Sequence, residues 1–407
     1  MRILTERLLE SRLGALPWSS PRTVVSGNFA TPRRLLELMD SAAETYRIFA
    51  LNAQGGIPSR TGVVHETPFV GPAMRRSSSL DYLPMRLSLV PRLFDVGRPP
   101  DLVLLHTSSV HNGKVSLGIE VNILPAAIER ARSRGGLVVA QVNHNMPYTH
   151  GDGELDLDAI DLAIEVEEEI PSPARRPIGD IGAQIGKGVA DLIEDGATIQ
   201  IGIGEIPDAV LASLADFRTL RIWSEAISDG VLELDRANVL DSGQSIVSTF
   251  LFGSPDLYSW VHLNERVRLL RTETVNDPST IAIRPAMCSI NTALQVDLHA
   301  QANASFVEGR IYSGFGGQPD FVVGALHSRG GHAIIALSSW HERSNTSTIV
   351  NQLAEPTTTF QHSAIVTEQG RADLFGRSER AQARLLIDAT AHPRAKDSLR
   401  ASLEDLW

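Results

Sequence analysis

Glu225 is the residue around which chemistry is easiest to argue. It stands in RIWSEAISDGVLEL, just past the apolar run 220–223. Parallel α/β proteins bind their ligands beyond the carboxyl ends of strands. A glutamate at such a place has three uses open to it: nucleophile, general base, or a residue favoured by the dipole at a helix start. Asp229 and Gly230, which follow, have the character of turn or capping residues.

Two glycine-bearing segments offer backbone donors. In IGIGEIPDAV, Gly202 and Gly204 flank Ile203 and leave its N–H open to an oxyanion. The same run fails as a dinucleotide fingerprint, because Pro207 stands where a third glycine is needed. This disfavours a nicotinamide oxidoreductase. In YSGFGGQPDFVVGALHSRGG, glycines at 314, 316, 317, 324, 330 and 331 let a loop close on a ligand, and successive N–H groups can cradle an anion.

Other chemistries find no support. There is no H-E-x-x-H, and the Asn143–His144–Asn145 cluster has no carboxylate next to it, so no metal site is expected. No G-x-S-x-G elbow is present for a serine hydrolase. The single cysteine, Cys288, lies in the apolar run AMCSINTALQV and reads as a buried structural thiol. One cysteine permits neither an internal disulfide nor a thiolate zinc cluster.

The elements that must position Glu225 are strands and helices in alternation, which means an α/β fold. Strands are expected at 23–26, 102–106, 137–142, 198–201, 220–223 and 332–337, and helices at 32–43, 123–133, 178–193, 207–214 and 377–386. The leucine spacing of MRILTERLLESRLGAL predicts an amphipathic helix and not a signal peptide. EEEIPSPARRP, residues 167–177, is charged and proline-rich and reads as a linker. It divides the chain into lobes 1–177 and 178–407.

A repeat supports that division. TVVSGNFATPRRLLELM from Thr23 aligns without a gap to TIQIGIGEIPDAVLASL from Thr198, matching Gly27 with Gly202 and Pro32 with Pro207. Each copy reads as strand, glycine turn, proline at the helix start, then an apolar stripe. Two related lobes place an active site in the cleft between them. At 407 residues the chain is long enough for such a pair. Its formal net charge of −11 argues against a nucleic-acid surface. No run approaches the ~20 apolar residues of a membrane span, and a cytoplasmic location is expected.

Together these segments resemble the acetyl-CoA hydrolase/transferase family, which includes 4-hydroxybutyrate and acetate CoA-transferases. The resemblance runs from about Ser26 to the C-terminus through SGNFATP, FVGPAMR, NGKVSLG, IGIGEIPDAV, SEAISDG, FGSPDLY, SINTALQVDL, SGFGGQPDF, VTEQG and AHP. It implies two open α/β lobes and a CoA-transferase that works by a ping-pong scheme through a glutamyl-CoA thioester on Glu225. It also implies oxyanion or coenzyme contacts at Ile203, Gly204, Gly316, Gly317 and Gln318. Acyl-CoA and small carboxylates are the implied partners, no cofactor is bound permanently, and a homodimer or higher homo-oligomer is expected.

The chain departs from the family pattern at Trp223, where histidine is usual, at Ala226, where a bulkier residue is common, and at Val110, where an acidic residue is usual. Trp223 and Ala226 are therefore candidates for the acyl pocket. Two other readings share these residues: an acyl-CoA hydrolase that admits water to the same glutamate, and a non-catalytic CoA- or acyl-binding protein.

Overall fold

The computed structural model describes residues 1–174 and 177–406. These fall into two compact units, which interleave along the chain. The first comprises Met1–Pro173, Val247–Val275 and Ile311–Gly316; the second comprises Ala174–Ile246, Asn276–Arg310 and Gly317–Trp407.

The first unit is built on an eight-stranded sheet in the order Arg2–Ile3, Leu162–Val166, Leu137–Asn143, Leu102–Thr107, Arg22–Val25, Tyr46–Phe49, Val63–Thr67, Leu80–Tyr82. Every pairing in it is parallel. A parallel sheet covered on both faces demands continuous apolar strands, and LVLLHT at 102–107 is buried at all six positions. The helix Glu6–Gly14 buries Leu9 and Leu13, as its leucine spacing predicts. Each such leucine contributes roughly 1.5–3 kcal/mol on burial. Beside it, the helix Arg33–Ala42 sends Leu35, Leu36, Leu38 and Met39 into the same core.

The second unit carries a six-stranded sheet in the order Arg221–Ile222, Thr198–Ile201, Met287–Thr292, His332–Ala336, Ala364–Thr367, Gly370–Asp373. The first five strands run parallel, and a hairpin adds the last as an antiparallel edge. Both units are therefore open α/β sheets with helical crossovers.

The two repeat copies form the same succession of elements, with one correction. Pro32 caps the helix Arg33–Ala42 from just outside, as expected. The second helix, Glu205–Ser213, begins before Pro207, which sits inside its first turn. The first four N–H groups of a helix have no internal partner, so a proline there removes no bond. Of the expected linker, residues 167–174 carry no helix or strand, and Arg175 and Arg176 lie outside the described residues.

Candidate active site

The site grows from two adjacent strand ends in the second unit. Thr198–Ile201 and Arg221–Ile222 pair in parallel, and the Trp223 N–H donates to the Ile199 carbonyl at 3.1 Å. The buried Ser224 hydroxyl then stitches the chain to its neighbour. It donates to the Ile201 carbonyl at 3.0 Å and accepts from the Ile201 N–H at 3.2 Å. Glu225 follows at a bend, half-buried, at the carboxyl end of the sheet.

Three groups act on its carboxylate. The Asn276 side-chain amide donates to Glu225 Oε2 at 2.9 Å. Asn276 is itself fully buried, and its Oδ1 has no hydrogen-bond partner among the described residues. The backbone of Gly317 lies so close that a Cβ there would stand 3.0 Å from Glu225 Cδ. Asp320, buried in the helix Gln318–His327, adds a negative charge on the same side of the balance as burial.

Burial, the largest effect, and Asp320 together push the Glu225 carboxyl up to about 7, against the opposing pull of the Asn276 hydrogen bond. Were Glu225 to act as a nucleophile it would do so as the carboxylate, and a reaction through it would rise with pH through about 7 and level off above it. Folding is linked to the same proton. The folded state holds it more firmly than the unfolded chain, so this stabilisation is complete below pH 4.5 and lost as pH rises through about 7. The difference amounts to ~3 kcal/mol. Glu225→Gln, which cannot ionise, is therefore expected to stabilise the protein at pH 8 and leave it unchanged at pH 4. Denaturant midpoints at the two pH values measure this, and equal effects at both would refute the shift.

The structure distributes the other expected site residues as follows. Ile203 is half-buried, two positions beyond the stitched Ile201, and Gly204 serves as N-cap of Glu205–Ser213 with φ +126°, a conformation open to glycine. Gly317 opens the helix whose first residue is the half-buried Gln318. Gly316 belongs to the first unit, where a Cβ on it would meet the Phe69 ring at 2.9 Å. Trp223 and Ala226 are both buried, and the Arg284 guanidinium lies 3.7 Å over the Trp223 ring. Cys288 is buried in Met287–Thr292, and burial pushes its thiol up to about 12.

Sequence reasoning missed Asn276, Asp320 and Arg284. Asn276 begins NDPST, which has the look of an ordinary turn, and Asp277 does cap the helix Pro278–Ala282. Asp320 lies inside the SGFGGQPDF motif, where the glycines drew the reading.

Models of the acetyl-CoA hydrolase/transferase N-terminal and C-terminal domains match residues 62–174 and 253–403. A 4-hydroxybutyrate coenzyme A transferase of Clostridium kluyveri is 39% identical over 82% of this chain and 80% of its own. The chain belongs to the acetyl-CoA hydrolase/transferase family. A succinyl-CoA:acetate/propanoyl-CoA:succinate CoA transferase of Fasciola hepatica is 32% identical over 94% of this chain and 84% of its own. Among solved structures, RipA from Yersinia pestis superposes with a TM-score of 0.92 at 26% identity, covering 100% of this chain and 97% of that one. Asn276, Gly317 and Asp320 fall within the matched C-terminal domain, whereas Glu225 lies between the two matched spans.

Proposed function

We propose that Glu225 is the nucleophile with which this CoA-transferase moves coenzyme A from an acyl-CoA donor to a carboxylic acid acceptor. The observation that carries the reading is the Glu225 carboxylate itself, held at a strand end by Asn276 and pressed against the Gly317 backbone.

A carboxylate in water is a poor nucleophile toward a thioester. Held in place it gains from alignment, and backbone donors stabilise the oxyanion that forms. Glu225 attacks the acyl carbonyl; the C–S bond breaks and coenzyme A leaves as thiolate, giving an acyl-glutamyl anhydride. The thiolate then attacks the glutamyl carbonyl and expels the donor's carboxylate, so coenzyme A is left as a thioester on Glu225. The acceptor carboxylate reverses the two steps. Enzyme, donor and acceptor exchange bonds of the same types, so no net oxidation, metal or nucleotide is needed.

In this reading the oxyanion donors are the N–H of Ile203 and one N–H of the Gly316–Gly317 pair. Gly204, Gly316 and Gln318 shape the backbone against coenzyme A, and Ala226 governs which acyl group is accepted. The lobes 1–177 and 178–407 are the two related halves of the enzyme. It works as a homodimer or higher homo-oligomer, in the reducing cytoplasm that suits a chain with one cysteine. No described helix is long and apolar enough to cross a membrane.

Hydrolysis is the second reading, favoured by the partial exposure of Glu225, which admits water to the intermediate. An acceptor screen separates the two. With acetyl-CoA and a panel of carboxylates, new acyl-CoA species of the acceptors' masses are expected, with parallel initial-rate lines. Free coenzyme A released at the same rate with every acceptor, and no new acyl-CoA, would overturn transfer.

A further inference from the structure

The segment between Asn276 and Arg284 touches the nucleophile's strand twice. Asn276 donates to the Glu225 carboxylate at 2.9 Å. Eight residues later the Arg284 guanidinium lies over the Trp223 indole, 3.7 Å from its centroid, and its Nε donates to the Thr280 carbonyl at 3.3 Å. Between the two contacts runs the short helix Pro278–Ala282. Asp277 caps it by accepting from the N–H groups of Ser279 at 2.7 Å and Thr280 at 3.3 Å.

The segment is rigid enough to transmit position. Gly324 of the helix Gln318–His327 lets it approach so closely that a Cβ would meet Ile281 Cβ at 2.5 Å and the Pro278 carbonyl at 3.1 Å. Beyond Arg284 the chain is tied down again. The Ser328 hydroxyl donates to the Arg284 carbonyl at 2.6 Å, and the Thr198 N–H donates to the Pro285 carbonyl at 3.1 Å. Arg284 has no carboxylate partner among the described residues, so its fixed contacts are the indole and Thr280. Trp223 is 7% exposed, and burial lowers the proton affinity of the guanidinium. An arginine partly withdrawn from water over an indole face is held there by the ring's electron-rich face.

We propose that the Trp223–Arg284 stack is a positioning device: by clamping one end of the Asn276–Arg284 segment to the nucleophile's strand, it sets Asn276 against Glu225 at the other end. Trp223 and Glu225 are separated by one residue, and Ser224 is stitched to Ile201 on both of its hydroxyl's bonds. The clamp and the carboxylate therefore share one rigid stretch of chain. The role rests on the reading of Glu225 as nucleophile, but the contact it controls is measurable without turnover.

The test follows the Glu225 carboxyl by ¹³C NMR in glutamate-labelled protein, with Glu225→Gln identifying its signal. Asn276 holds the carboxylate form and Asp320 opposes it from the helix Gln318–His327. Asn276→Ala is expected to raise the titration midpoint by about one pH unit, the scale of a lost hydrogen bond to a charge. Arg284→Met should raise it in the same direction by roughly half as much, and Arg284→Lys, which keeps the charge but not the guanidinium plane, by less. Asn276→Ala combined with Arg284→Met should add nothing to Asn276→Ala alone.

In turnover, Arg284→Met and Trp223→His should lower kcat for every acyl donor by a similar factor and leave the KM for acyl-CoA in place. A midpoint that moves with Asn276→Ala but not with Arg284→Met refutes the clamp, as does a double variant whose shifts add. Reordered donors in Trp223→His with no change of midpoint would make Trp223 a wall of the acyl pocket instead. Absence of a covalent adduct on Glu225 would sink the nucleophile reading and still leave the clamp to be judged by the titration.

Discussion

Glu225→Ala is expected to abolish transfer, with a loss on the order of 10⁴-fold or more, because the proposed thioester has no carboxyl at that position to form on. The companion result is positive. Wild-type protein incubated with acyl-CoA and no acceptor should accumulate the enzyme–CoA thioester, borohydride should reduce it, and peptide mapping should place the lesion on Glu225. Glu225→Asp keeps the charge but withdraws the carboxylate by about 1.5 Å, enough to cost roughly 10²-fold through misalignment. The same withdrawal loosens the 2.9 Å bond from Asn276, so the aspartate is less well held as well as further away. An active alanine variant with no borohydride-sensitive adduct in the wild type would move the chemistry to another residue.

What was legible in the sequence depended on whether a local pattern decided the outcome. The strand expected at 198–201 is Thr198–Ile201, and that expected at 102–106 extends by one residue to Leu102–Thr107. Their apolar, β-branched runs are what a doubly covered parallel sheet requires. The segment AMCSINTALQV was equally apolar and was not read as a strand, yet its first half is the sheet strand Met287–Thr292. Periodicity alone does not separate a buried strand from other buried chain.

The candidate site was legible to the extent that Glu225, singled out for its chemistry, and Gly317, singled out for its backbone, stand side by side. It was not legible at Asn276. An asparagine before Asp-Pro has a sufficient local explanation as a turn residue, and only the fold brings it across 51 residues of chain to Glu225. Arg284 was hidden for the same reason. Its contact with Trp223 crosses from one strand of the sheet to the approach of another, which no local window reports.

Gly317→Ala is the sharpest geometric test of the site. Gly317 has φ −88° and ψ −8°, a conformation alanine adopts without strain, so the backbone gives no reason for a loss. The obstacle is the space. An added methyl would overlap Glu225 Oε2 and Asn276 Nδ2 and stand 3.0 Å from Glu225 Cδ. The backbone has little freedom to retreat, because the Gly317 carbonyl accepts from the Phe321 N–H at 3.1 Å and Pro319, Asp320 and Phe321 are buried behind it. The carboxylate must therefore move and surrender its bond from Asn276. A displacement of about 1 Å at the attacking atom costs on the order of 10²-fold, so kcat should fall by at least that much while the melting temperature stays close to wild type. Gly316→Ala should show the opposite signature. Its φ of +60° and the Phe69 ring 2.9 Å away make the substitution costly to the fold, by about 1–2 kcal/mol from the backbone alone. A Gly317→Ala enzyme with full turnover would mean that the carboxylate is not held where the chemistry requires it, and the proposed attack geometry would fall with it.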